Sequence, residues 1–187
     1  MTLHSLTHVC TVGVSSTVAA TILCTAPLSA ANTTVPGIPR VRANEDPAIA
    51  ALLLEAPKRS ATFRRLVDTI DATDGIVYIQ DGKCNHGVRA CLTLTVRVAG
   101  PNRILRIVVD TRRDHDELLA SIGHELQHAA EALSDPHVTN NRTIYFFFDR
   151  IGSSRLGRFE THAAIQAGLE VRAELRANAD YSVFQFR

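Results

Sequence analysis

The sequence predicts an α+β domain in which a small antiparallel sheet packs on two long helices. Three observations predict it. Apolar residues recur at helical spacing over 48–56, 60–72, 114–133 and 158–177. Between the second and third of these lie three short β-branched runs, at 76–80, 92–98 and 104–109, joined by short connections. The third helical stretch contains His124-Glu125-Leu126-Gln127-His128, which sets two histidines one turn apart on one face.

The N-terminus differs from the rest of the chain. Residues 1–31 contain no Asp, Glu, Lys or Arg, and an apolar, small-residue run at 9–23 is followed by Pro27-Leu28-Ser29-Ala30-Ala31. This pattern predicts a signal peptide cleaved after Ala30 or Ala31, with an uncleaved N-terminal anchor as the alternative. Residues 32–44, with Pro36, Gly37 and Pro39, are expected to be a linker. Residues 45–187 are then expected to be one domain, of a size that supports a single core. The expected location is secreted or periplasmic.

Within the domain, Asp46-Pro47 opens the first helix and Pro57 closes it. Ser60 caps the second, where Phe63, Leu66, Val67 and Ile70 share a face. The strands follow, and their short connections predict an antiparallel meander. Cys84 and Cys91 flank the loop after the first strand. They are the even pair left once the N-terminal segment is removed, and a disulfide is expected in an exported chain. Asp114, three residues before Glu117, caps the third helix, and Ser134-Asp135-Pro136 ends it. A short aromatic helix at 143–151, a loop at 152–157 and the last long helix complete the order. The net charge of +1 gives no reason to expect nucleic acid or an anionic membrane as a partner.

The third helix carries the chemistry. Leu118, Ile122, Leu126, Ala129, Ala130 and Leu133 fall in one sector about 120° wide, and His124 and His128 fall nearly opposite. One face can therefore pack on a core while the other presents two imidazoles to a Zn²⁺ ion, with Glu125 in reach of its water. The plain alternative is two solvated or core histidines on an ordinary amphipathic helix. Catalytic zinc needs a third ligand. Glu160 is the best placed, at the head of a mostly small apolar stripe of Ala163, Ala164, Ala167, Val171 and Leu175. His137 and Glu131 are the other candidates.

With its motif helix and a downstream glutamate on a second helix, the chain resembles the gluzincin type of zincin metallopeptidase over residues 76–177. It is also similar to small secreted bacterial proteins with His-Glu-Leu-x-His followed by Phe-Glu-Thr-x-Ala-Ala, here Phe159-Glu160-Thr161-His162-Ala163-Ala164. The resemblance implies one Zn²⁺ per chain held by His124, His128 and Glu160, with Glu125 as the catalytic acid/base. It implies a peptide or protein substrate; no nucleic acid, and no membrane after signal cleavage, is expected as a partner. Where gluzincins often carry an Asp four residues after the ligand Glu, this chain has Ala164. Tyr145, His137 and His162 are the candidate stabilisers of an oxyanion, and the strand at 104–109 is expected to offer an edge to an extended peptide. The alternative from another class is a non-catalytic exported binding protein with a structural or vestigial zinc site.

Overall fold

The computed structural model describes residues 38–112, 114–155 and 158–184, without the side chains of His86, Ser154, Arg155, Arg158 and 179–184. The expected signal peptide or anchor, the first part of the linker and the last residues of the tail lie outside them. Among the described residues no helix is long and apolar enough to cross a membrane.

The architecture is mixed α and β. Strand β1 (Val41–Ala43) leads into helices α1 (Pro47–Arg59) and α2 (Ala61–Asp71), then strand β2 (Gly75–Asp81). Strands β3 (Ala90–Leu92), β4 (Arg97–Ala99) and β5 (Asn102–Val109) follow, then helices α3 (His115–Ser134) and α4 (Asn141–Ile151). A small hairpin, β6 (Ser153–Arg155) and β7 (Arg158–Glu160), precedes helix α5 (His162–Phe184). Local chemistry sets the helix starts. Asp46 accepts from the amides of Ala48 and Ile49, Ser60 from Phe63, and Asp114 from Asp116 and Glu117. Pro57 does not end α1, which runs on to Arg59; a proline in the last turn forfeits one hydrogen bond where the helix is ending anyway.

The sheet is not the expected antiparallel meander. Its order is β1-β2-β5-β3, with β4 also on β5, and β1, β2 and β5 run parallel. Only β3 and β4 run antiparallel to β5. The physical reason is the β2–β3 connection, residues 82–89. Skipping one strand position requires about 10 Å, which eight residues of chain span easily. β5 then returns from the β4 turn into the space left beside β2. The parallel β1–β2 pair is joined through α1 and α2, as parallel neighbours require. Val41–Ala43, expected to be linker, is thus the outer strand of the sheet.

The expected strand at 92–98 is interrupted between β3 and β4. There the Leu92 amide donates to Glu125 Oε2 at 2.7 Å and the Val96 amide to Asn141 Oδ1 at 3.1 Å, so side chains of helices α3 and α4 take outward N–H groups of this segment. The core lies between one face of the sheet (Val77, Ile79, Leu105, Ile107, Val109) and the helices, with Ile49, Phe63, Leu66, Ile70, Leu118, Ile122 and Leu126 almost fully buried. α3 was expected to bury one face. It is buried around most of its circumference, including Glu125 and His128, because α5 packs along it. Gly123 and Gly168 permit the approach: a Cβ on Gly123 would meet Val171 Cγ2 at 2.8 Å, and one on Gly168 would meet His124 Cβ at 3.2 Å.

Cys84 and Cys91 are disulfide-bonded across seven residues, which pins the loop to the start of β3. Opening this short loop is expected to cost about 2–3 kcal/mol of stability. Urea unfolding of the Cys84→Ser/Cys91→Ser protein against wild type measures it; equal midpoints would contradict the expectation.

Candidate metal centre

Three side chains meet at one point. His124 and His128 present their imidazoles from successive turns of α3, with ring centroids 5.0 Å apart. Glu160 Oε1 lies 3.0 Å from His124 Nε2 and 3.3 Å from His128 Nε2. One ligand atom from each residue falls within 4.8 Å of the others, so the trio could hold a metal ion. Two imidazole nitrogens and a carboxylate oxygen are an ordinary donor set for zinc, and with bonds near 2.1 Å the edges of a tetrahedron are about 3.4 Å. The His–Glu separations are close to that spacing.

Glu160 reaches this point differently from expectation. It does not sit in the last helix; it ends strand β7, two residues before α5 begins. Its backbone pairs with Ser153 across the β6–β7 hairpin. Thr161 then caps the helix, accepting from the Ala164 amide through Oγ1 at 3.1 Å. Of the predicted stripe, Ala164, Ala167, Val171 and Leu175 are buried and Ala163 is exposed. A strand end fixes the carboxylate from both sides, which a fraying first helical turn would not do.

The surrounding electrostatics favour a cation. Burial works to lower the His128 pKa, but its hydrogen bonds to the Glu131 and Glu160 carboxylates override it and hold it up at about 9. The same imidazoles hold the Glu160 carboxyl below its usual range, the His128 hydrogen bond being the largest cause. Glu131, weighed as a third ligand, lies behind the site instead. Its Oε2 is 3.2 Å from His128 Nδ1, the ring atom away from Glu160, and its Oε1 accepts from Thr161 Oγ1 at 2.9 Å. Glu131 therefore orients the ring and ties it to the cap of the helix that follows Glu160. Phe148 packs edge-on against the other side of the His128 ring, with centroids 5.3 Å apart.

Glu125 is 9% exposed. Burial raises its pKa, opposed by the positive field of the two histidines. Its Oε2 accepts from the Leu92 N–H at 2.7 Å.

A cleft of about 1220 Å³ opens over this trio. Its walls are β3 and the preceding loop on one side and α5 on the other, with His124, Glu125, His128 and Glu160 among its lining. Of the three expected oxyanion stabilisers, none lines it. Tyr145 packs against Phe146 and Phe159, and His137 and His162 are exposed. The expected peptide edge on β5 is also corrected. β5 is an interior strand between β2 and β3, and the edge beside the cleft is β3.

No model of a known protein family, no curated protein and no solved structure matches the chain.

Proposed function

We propose that the protein is an exported zinc-dependent hydrolase, a metallopeptidase of the zincin kind. The observation that carries the reading is the meeting of His124, His128 and Glu160 with a buried Glu125 between the two histidines in sequence. A structural site saturates its ion with protein ligands, whereas three ligands at the floor of an open cleft leave room for water and substrate. Zinc held there would supply Lewis acidity for activating water and polarising a carbonyl. His124, His128 and Glu160 would hold the ion, and Glu131 would keep the His128 ring turned towards it.

Glu125 would do the proton transfer. Its Oε2 is anchored by the Leu92 amide, so Oε1 would accept the proton of the attacking water and return it to the leaving amine. A raised pKa suits a group that must carry that proton between the two steps. An extended peptide would lie along β3, the edge strand at the cleft, pairing with outward backbone groups other than the Leu92 amide that Glu125 holds. The disulfide supports an oxidising compartment, hence export.

The test is a mixed peptide library incubated with the protein, with and without a chelator. Cleavage that the chelator abolishes and added zinc restores is expected. Failure to cleave any member, in a folded protein with its metal, would favour a binding protein instead.

A further inference from the structure

One end of the cleft is crowded with guanidinium groups. Glu117 stands on α3 two turns before His124, and its carboxylate meets Arg89 Nη1 at 2.8 Å, Arg172 Nη2 at 2.9 Å and Arg176 Nη2 at 3.5 Å. Arg89, Glu117, Ser121 and Arg172 line the same cleft as the metal trio. Nearby acids are engaged elsewhere: Asp116 pairs with Arg59, and Glu170 with Arg65. Among the described residues three cations share this one anion, and two of them, Arg89 and Arg172, line the cleft, which leaves an excess of about one positive charge at its mouth. A single carboxylate offers about four acceptor sites, far fewer than three guanidiniums have donors. Arg172 Nε is buried and has no hydrogen-bond partner among the described residues.

The plain alternative is a staple. The pairs would tie the β3 loop and α5 to α3 and do nothing more. A staple does not explain a buried Arg172 Nε left without a partner among the described residues, however, and partly exposed pairs of this kind add little stability. The surplus charge faces the cavity that the functional reading assigns to substrate.

Two rulers locate it relative to the chemistry. Glu117 and His124 are seven residues apart on one helix, about 10 Å along its axis. On the facing wall, Arg89 lies three residues before Leu92, whose amide holds Glu125, and three residues of strand also span about 10 Å. We infer that Arg89 and Arg172 form a carboxylate-binding subsite, so that favoured substrates are peptides with an acidic group about three residues from the cleaved bond. This deepens the peptidase reading and rests on it for the bond that is cut. The carboxylate belongs either to an Asp or Glu side chain or to the free C-terminus of the peptide.

The experiment uses zinc-loaded full-length protein carrying Glu125→Gln, so that bound peptide persists. Fluorescein-labelled short peptides come in matched pairs, Glu against Gln at each position in turn and free acid against C-terminal amide. Anisotropy gives the affinity ratio of each pair, and cleavage by the protein with Glu125 intact is followed in parallel. The acidic member is expected to bind on the order of tenfold tighter at one position at low salt, with the preference shrinking at high salt. The position at which it appears, side chain or terminus, identifies the source of the carboxylate. Arg89→Gln, at a half-exposed side chain, should drive that ratio towards one, and Glu117→Gln should raise it. Peptides that bind with a ratio of one at every position would overturn the inference while leaving the peptidase reading intact if they are cleaved. Acid-selective binding without any cleavage would overturn the peptidase reading and support the subsite. No binding by any peptide would overturn both.

Discussion

Turnover of any accepted peptide is expected to fall by on the order of 10²-fold or more when Glu125 is replaced by Gln, the usual worth of a positioned general base. Metal content and thermal stability should stay near wild type. The amide oxygen of Gln can still accept from Leu92 N–H, so the strand–helix tie at β3 survives. A neutral amide also removes the cost of holding a carboxylate in a buried position. The substitution therefore separates three accounts. Loss of activity with metal retained identifies a base. Loss of metal identifies a ligand. Peptidase activity unchanged in a zinc-loaded Glu125→Gln protein would sink the proposed mechanism.

The largest effect on stability is expected at Arg103, which ties the start of β5 to the C-terminal end of α3. This side chain is 5% exposed. Its guanidinium donates to both oxygens of Asp74, and to the carbonyls of Leu133, Asp135 and Val138 at the end of α3. Arg103→Leu would leave these carbonyls without their donor and Asp74 without its partner. The expected cost is about 3–5 kcal/mol, read from urea unfolding. A change under about 1 kcal/mol would contradict the account. The pH dependence has a definite sign. The hydrogen bonds from Arg103 hold the Asp74 carboxyl below its usual range. Its contribution is thus present above the unfolded value near 3.9 and is lost as pH falls through the lower folded value. Asp74→Asn should flatten that part of the acid-unfolding profile.

The motif helix was legible because its signals are local. Asp114 at the cap, the apolar sector and the Ser134-Asp135-Pro136 stop each act within a few residues, and α3 runs from His115 to Ser134. The sheet order was not legible. Whether β5 lies outside β3 or between β2 and β3 depends on which gap the chain enters after the β4 turn, and no local residue pattern encodes that choice. Hydrophobic alternation in 76–80 and 104–109 is equally compatible with parallel and antiparallel neighbours.

The site divides in the same way. His124, His128 and Glu160 could be named from residue type and spacing, and the structure brings them together. The strand under Glu160 could not, because β7 is three residues long, too short for any periodicity. The Leu92 amide that holds Glu125 leaves no trace in residue identity, since every non-proline residue has one. Arg103 did leave a signal. It shares strand parity with Leu105, Ile107 and Val109, and a cation on the core side of a strand needs a buried partner. Arg89, Glu117 and Arg172 come from a loop and two helices, and the packing of both β3 and α5 on α3 makes them a cluster.

The central claim is that two histidines and a glutamate hold one zinc ion at the floor of the cleft. X-ray absorption at the zinc edge, on exported protein purified without chelator, tests it most directly. The account predicts one zinc per chain, two imidazole nitrogens and oxygen in its shell, no sulfur, and loss of the ion in a folded His124→Ala variant. A sulfur-containing shell, or a folded wild-type protein that takes up no stoichiometric zinc, would contradict it.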